Sequence, residues 1–443
     1  MLDNKPTLNQ AEFAARRQKF LQQLPANSIA ILSSADECYR NGDTHYNYRQ
    51  NSNFYYLTGF TEPDAVAVFI PRRTEGEFIL FNRVKDPSKE IWTGYYAGQA
   101  GAVKDYGANQ AFAITELDAK MVELLTGKQR VYYATARNDQ FDVRVMHWVN
   151  ELQAKVRSGV GTPTEFFNIE TIVHEMRLIK SSAELAIMRH AGNISAQAHK
   201  KAMHVCHPGL YEYQLQAAIE YEFKYHGSSY PAYGSIVGGG KNACILHYVD
   251  NNAVLNDGDL VLVDAGGEYE YYSSDITRTY PINGKFSAAQ RALYELVLRV
   301  QLSTIALVKP GVRYDVLQDH VRKELTRGLI ELGLLTGDLE KLIADKAYFD
   351  FYMHNFGHWL GLDTHDAGTY KVDGQWRELK AGMVLTVEPG LYVAPDNHKV
   401  DAKWRGIGIR IEDDVLVTET GYEVLTVAVP KSVEEIERLC AGK

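Results

Sequence analysis

Residues 260–280, LVLVDAGGEYEYYSSDITRTY, constrain this chain more than any other stretch. Two runs of strand-forming residues flank a Gly-containing segment, so the stretch reads as a β-hairpin folded near Glu270. Asp264 stands in the first run and Asp275 in the second. Pairing the runs makes the two carboxylates near neighbours across the strands. Carboxylates that close repel each other, so one must take a proton or a cation must lie between them. As solvated strand-end residues they would need neither.

At 443 residues the chain is long enough for two or three domains. Its hydrophobic share of 45% and charged share of 23% are those of a soluble globular protein. A net charge of −9 argues against nucleic acid or an anionic membrane as the main partner. No apolar run is long enough to cross a bilayer, and the N-terminus lacks the apolar core of a signal peptide. A cytoplasmic location is therefore expected. Cys38, Cys206, Cys244 and Cys440 form no CxxC or Cys/His pattern, so reduced thiols are expected rather than a zinc finger or a disulfide framework.

The first part alternates strand-like and helical patterns. Asn9 with Glu12 reads as a capping box opening a helix through about Leu24. Strands are expected at SIAILSS, AVAVFIP, EFILFNR and RVYYAT, and helices at ELDAKMVELL and FDVRVMHWVNELQAKV. This predicts an α/β domain with a mixed sheet over residues 1–175. Residues 40–60, RNGDTHYNYRQNSNFYYLTGF, read either as a surface loop with a buried aromatic tail or as the lining of a cleft or subunit contact. Trp92, in EIWTGYYAG, reads in the same two ways, as a packing anchor or a contact residue. The Gly/Pro/Thr-rich SGVGTPTEF leads out of this domain, and a second domain is expected over 176–443. Ser181 with Glu184 opens a long helix there, through about Met203.

The second part carries a weak internal repeat. Pro208-Gly209-Leu210 with Leu215-Gln216 recurs as Pro310-Gly311-Val312 with Leu317-Gln318, at the same offsets. Each copy reads as helix, Pro-Gly turn, helix, β-hairpins. Two α+β halves related by a pseudo-twofold would place a cleft between their sheets, a usual position for a site.

Further candidates follow downstream. MHNFGHWLGLDTHDAG holds His354, His358 and His365, without HExxH and with Gly357 and Gly361 arguing against a continuous helix. Glu388 follows an apolar strand and precedes a Pro-Gly turn. In GIGIRIEDDVLV, alternation within one strand puts Arg410 and Glu412 on one face, either as a surface ion pair or, given the apolar flanks, away from solvent. Asp264, Asp275, Glu388 and Glu412 together balance two divalent cations in charge, and His358 adds an imidazole. Such a donor set favours Mn²⁺, with Co²⁺, Fe²⁺ and Zn²⁺ as alternatives. Two ions roughly 3.5–4 Å apart can share and acidify a water.

DAG…DITRTY, GHWLGLDTHD, TVEPG and GIRIED, in that order, resemble the motifs of the pita-bread metallopeptidases: methionine aminopeptidase, prolidase and aminopeptidase P. Residues 40–60 extend the resemblance to the N-terminal domain of bacterial aminopeptidase P. The resemblance implies that Asp264 binds one metal, that Asp275 and Glu412 bridge both, and that His358 and Glu388 complete the other. It implies that a metal-bridging hydroxide attacks the carbonyl before proline, with Glu388 as proton shuttle. His247 and His365 would contact the substrate and steady the oxyanion, His354 would line the proline pocket, and Arg410 would hold a ligand carboxylate. Substrates would be peptides with proline second, and the oligomer a homodimer or homotetramer in which Trp92 reaches a neighbouring cleft. Prolidase shares every metal ligand and cuts only Xaa-Pro dipeptides. A binding protein on the same fold, without hydrolysis, is the more distant alternative.

Overall fold

The computed structural model describes residues 5–442. It divides into two compact units, one of residues 8–176 and the other built on residues 177–442.

The first unit is organised by a mixed six-stranded sheet. Its strands are β1 (Ser28–Ser33), β2 (Val66–Phe69), β3 (Phe78–Asn82), β4 (Gln110–Ala113), β5 (Arg130–Tyr133) and β6 (Glu165–Asn168), in the order β4-β3-β2-β1-β5-β6. β2 runs antiparallel to β1 and β3, while the β3/β4, β1/β5 and β5/β6 pairs are parallel. Ile29, Ile31, Val66, Val68 and Val131 pack against Met121, Val145 and Trp148 from the helices Leu117–Leu125 and Asp139–Gln153. The first helix is Gln10–Leu21, shorter than expected, with Asn9 accepting from the Glu12 backbone N–H.

Residues 40–60 hold a helix that their composition hides. After the short hairpin of Tyr39–Asn41 and Thr44–His45, Asn51 caps a helix over Ser52–Thr58, every residue of which is buried. The aromatic tail is thus core. Trp92 is not a packing anchor: it is 86% exposed, beside Ile91 at 81%.

The second unit shows the repeat. The helix Ser182–Val205, capped by a reciprocal Ser181/Glu184 box, leads through Gly209 (φ +93°) into the helix Glu212–His226. The helix Ala288–Ile305 leads through Gly311 (φ +84°) into the helix Tyr314–Glu331. The backbone pairing after each turn matches. Gly209 N–H donates to Leu255 O and Glu212 N–H to Ala253 O, both at 2.9 Å. In the second copy Gly311 N–H donates to Leu379 O and Tyr314 N–H to Arg377 O, again at 2.9 Å. The strands β7 (Ile236–Gly239), β8 (Leu260–Asp264) and β9 (Thr277–Pro281) form one antiparallel sheet. In the other half β10 (Val384–Val387), β13 (Asp413–Val417) and β14 (Tyr422–Val424) form a sheet, and β11 (Gly390–Val393) pairs with β12 (Ile407–Arg410). The architecture is therefore an α/β unit with a mixed sheet followed by an α+β unit of two matching halves.

The hairpin of residues 260–280 is two ladders. β8 pairs with β9, Asp264 opposite Thr277. Between them Gly267–Tyr269 pairs with Tyr272–Ser273 in a separate small sheet, turned by Glu270 and Tyr271 at φ +49° and +69°. Asp275 lies in the crossing between the ladders rather than in a strand. The crossing is tight: a Cβ on Gly266 would stand 1.7 Å from the Ser274 carbonyl oxygen. The helix Ser182–Val205 braces it. Glu184 accepts from Tyr272 OH at 2.8 Å, Ser195 Oγ from Gly267 N–H at 3.0 Å, and His199 Nε2 meets Ala265 O at 2.9 Å.

The single strand expected through Arg410 and Glu412 does not form. β12 ends at Arg410 and belongs with β11, whereas β13 begins at Asp413 and belongs with β10. Residues 411–412 are where the chain changes sheets, and Glu412 N–H donates to Thr277 O at 3.1 Å instead of to a strand partner.

Candidate metal centre

Asp275, His358 and Glu412 present one donor atom each, all within 4.8 Å of one another. They come from the hairpin crossing, from the Gly-interrupted loop and from the sheet change. The loop carries no helix over residues 353–370, in keeping with its glycines. Gly357 is required there, because a Cβ would lie 1.9 Å from Thr386 O. That close approach lets His358 N–H donate to Thr386 Oγ1 at 3.0 Å and Thr386 N–H to His358 O at 2.9 Å. Thr386 Oγ1 also reaches Glu388 Oε1 at 3.1 Å, so one threonine of β10 positions both a histidine and a carboxylate.

His358 Nδ1 lies 3.0 Å from the Trp359 carbonyl, which can only accept, so Nδ1 carries the proton. Nε2 then faces Asp275 Oδ2 at 3.4 Å and Glu388 Oε1 at 3.6 Å. Burial opposes charge on this ring, but Asp275 and Glu388 outweigh it and push its pKa up to about 9.

Asp264 is set apart from the three. Its Oδ2 meets Arg410 Nη2 at 2.5 Å, and its Oδ1 meets Tyr233 OH at 2.5 Å. Tyr233 OH also meets Asp275 Oδ1 at 2.5 Å. A hydroxyl has one proton, so it relieves one of these carboxylates and leaves the other facing an oxygen. Arg410 is buried and is no surface ion pair with Glu412: Nη2 goes to Asp264, Nη1 to Tyr392 OH at 2.9 Å, and Nε to Thr277 Oγ1 at 3.1 Å. Thr277 Oγ1 in turn donates to Glu412 Oε2 at 2.6 Å.

The electrostatics are those of carboxylates pressed together out of water. Burial first, then Asp275, Glu388 and Asp264, push Glu412 well above the carboxylate range. Burial and Asp264 raise Asp275. Burial lifts Glu388 to about 7, against the pull of His358 and Arg410. Oxygen donors, one imidazole whose Nε2 faces them, and carboxylates raised by mutual repulsion fit a divalent cation, which would take the place of the Nε2 proton. The residues present therefore suit a metal group.

Three further histidines complete the picture. His354 Nδ1 lies 2.7 Å from Asn355 O and Nε2 lies 3.0 Å from Tyr392 OH, so both nitrogens are engaged. Burial first, then Arg410, lowers its pKa to about 3, and the ring is neutral. His365 is exposed, its ring 4.4 Å from that of His358. His247 is exposed on the turn after Leu246. Tyr233, Thr277, Thr386 and Tyr392 were not expected at the site. Thr277 and Thr386 lie inside motifs read for their acids, whereas nothing in SSYPAYGS marks Tyr233.

Comparison with known proteins agrees with this geometry. Residues 186–419 match the model of metallopeptidase family M24, and residues 13–132 match the aminopeptidase P N-terminal domain. The chain is 46% identical to the Xaa-Pro aminopeptidase of Escherichia coli over 98% of each chain. The structure of Pseudomonas aeruginosa aminopeptidase PepP superposes with a TM-score of 0.97 at 51% identity, covering 98% of this chain and 99% of that one. Zinc-substituted E. coli aminopeptidase P in complex with product superposes with a TM-score of 0.95 at 46% identity, covering 98% and 99%. A buried acid–histidine cluster in a pseudo-symmetric α+β unit, matched along almost its whole length, places this chain in metallopeptidase family M24.

Proposed function

We propose that this chain is an Xaa-Pro aminopeptidase, a metal-dependent exopeptidase releasing the first residue from peptides whose second residue is proline. The observation that carries the reading is the buried convergence of Asp275, His358 and Glu412, flanked by Asp264 and Glu388. The E. coli and Haemophilus influenzae relatives that match the chain end to end, at 46% and 43% identity, are Xaa-Pro aminopeptidases, which favours this activity over the prolidase and binding-protein alternatives.

Asp264, Asp275, His358, Glu388 and Glu412 would hold two divalent ions, with Asp275 and Glu412 shared and Mn²⁺ favoured by the oxygen-rich set. When bound, the ions would polarise the scissile carbonyl and acidify a water near neutral pH. The chain's own residues do the rest. Glu388, steadied by Thr386, takes up and returns the proton at its carboxylate. His354, neutral and with both nitrogens engaged, offers its ring to the proline side chain. His365 and His247 stand exposed and meet the substrate, hydrogen-bonding the oxygen on which charge develops. Arg410 holds the Asp264 carboxylate in place through its Nη2. A prolyl amide has no N–H, so a peptidase that recognises that N–H fails on such substrates.

A cytoplasmic location fits a chain in which, among the described residues, no helix is long and apolar enough to cross a membrane. A homodimer or homotetramer fits the exposure of Trp92 on the first unit, where a neighbouring subunit's cleft would receive it. No role for nucleic acid follows from a net charge of −9.

The reading is tested by Asp264→Asn and Glu412→Gln. Each should abolish Mn²⁺ uptake, measured by metal analysis after loading, and turnover together, with the fold retained by circular dichroism. Full metal content with full turnover in either variant would contradict the assignment.

A further inference from the structure

The internal repeat places equivalent residues on the helix that follows each Pro-Gly turn. Glu212 in the first copy corresponds to Tyr314 in the second, and Gln216 to Gln318. In the second copy both side chains hold the histidine loop. Tyr314 OH donates to Gly357 O, and Gln318 Oε1 accepts from Phe356 N–H at 2.8 Å. These bonds fall between His354 and His358.

The first copy does the same to a different loop. Glu212 is fully buried. Its Oε1 accepts from Gly239 N–H at 2.7 Å and Asn242 Nδ2 at 3.0 Å. Its Oε2 accepts from Tyr248 OH at 2.8 Å and Ala253 N–H at 2.9 Å. Gln216 Oε1 accepts from Asn251 Nδ2 at 2.8 Å. One carboxylate therefore fastens both ends of residues 239–253, and its Tyr248 bond falls on the residue next to His247. Tyr248 is itself packed with Ile236, Leu262 and Tyr392. On the other side of His247, Leu246 offers a carbonyl to Arg410 Nη2 at 3.4 Å. His247 thus stands exposed between two tethered residues. None of Glu212's partners belongs to the metal donors.

We propose that Glu212 is a positioning residue that presents His247 to the substrate, as Tyr314 and Gln318 hold the loop of His354 and His358. A carboxylate suits this place because it accepts at both oxygens and brings no donor of its own. Glutamine would turn an NH₂ towards groups that donate, leaving a backbone N–H unpaired.

The inference rests on His247 as a substrate contact, so the test is a double-mutant cycle of Glu212→Gln and His247→Ala in the metal-loaded enzyme. Each single variant should lower kcat by about tenfold, the loss of roughly one transition-state hydrogen bond, with KM little changed. Metal content should match that of the parent. The double variant should be no slower than His247→Ala alone, because Glu212 acts through His247. Multiplying losses, or metal lost from Glu212→Gln, would overturn the inference. An inert His247→Ala would instead overturn the reading of His247. Should Glu212→Gln fail to fold, Tyr248→Phe removes a single donor from Oε2, and the same cycle should give a smaller loss, about threefold, that again vanishes without His247. A Tyr248→Phe loss that persists in the His247→Ala background would overturn it.

Discussion

Thr277 shows how much of this site rests on residues without charge. Its hydroxyl accepts from Arg410 Nε at 3.1 Å and donates to Glu412 Oε2 at 2.6 Å, while its backbone lies opposite Asp264. Thr277→Val keeps the shape and removes the hydroxyl. It should weaken divalent-metal binding by about 10- to 100-fold, measured by calorimetric titration, with little change in far-UV circular dichroism. Unchanged affinity would contradict its place in the hydrogen-bond chain. At this scale the acids were legible because two aspartates in one hairpin pose a charge problem that local structure alone raises. Thr277 was not, since a threonine in a strand is first of all a strand former. Tyr233 was not, because it reaches Asp264 and Asp275 from a loop with no pattern of its own.

The elements carry their own tests. The crossing inside residues 260–280 depends on Gly266, whose missing side chain admits the Ser274 carbonyl. Gly266→Ala should destabilise the fold by about 3 kcal/mol or more, read from denaturant unfolding, because backbone must move to clear the methyl group. A loss below about 1 kcal/mol would mean the ladders can separate cheaply. The loop bearing His365 is tied through Asp366, buried between Arg177 Nη2 at 2.6 Å and Lys180 Nζ at 2.9 Å. Burial opposes the charge on Asp366, but the two cations hold its carboxyl below the usual range. Its folded pKa lies below the unfolded one, so it contributes stability above about pH 4 that is lost as the pH falls through the folded value. Asp366→Asn should lower the melting temperature at about pH 7 and flatten its decline as the pH falls below about 4. An unaltered acid slope would contradict that pairing. Strand and helix positions were largely legible from periodicity and caps, as at Ser181 and Glu184. The sheet change at residues 411–412 was not. Alternation continues through it, and only long-range pairing with β10 and β11 decides where one strand stops. The helix Ser52–Thr58 was hidden for a similar reason: an aromatic, Asn-rich segment is a poor helix by propensity, and burial overrides that.

For the whole molecule, the repeat read from five matched positions proved to be the plan of the second unit, down to the paired hydrogen bonds after Gly209 and Gly311. Each half contributes to the proposed donor set: Asp264 and Asp275 from one, His358, Glu388 and Glu412 from the other. A metal-dependent peptidase follows from that convergence, while the requirement for proline and for a free N-terminus comes through its relatives. These two parts of the account are tested together by offering the manganese-loaded chain an Xaa-Pro-Yaa tripeptide and an Xaa-Pro dipeptide, with metal content measured on the same sample. Release of the first residue from the tripeptide, lost on chelation and restored by Mn²⁺, is the predicted result. Turnover of the dipeptide alone, or tripeptide cleavage that survives complete removal of metal, would contradict it.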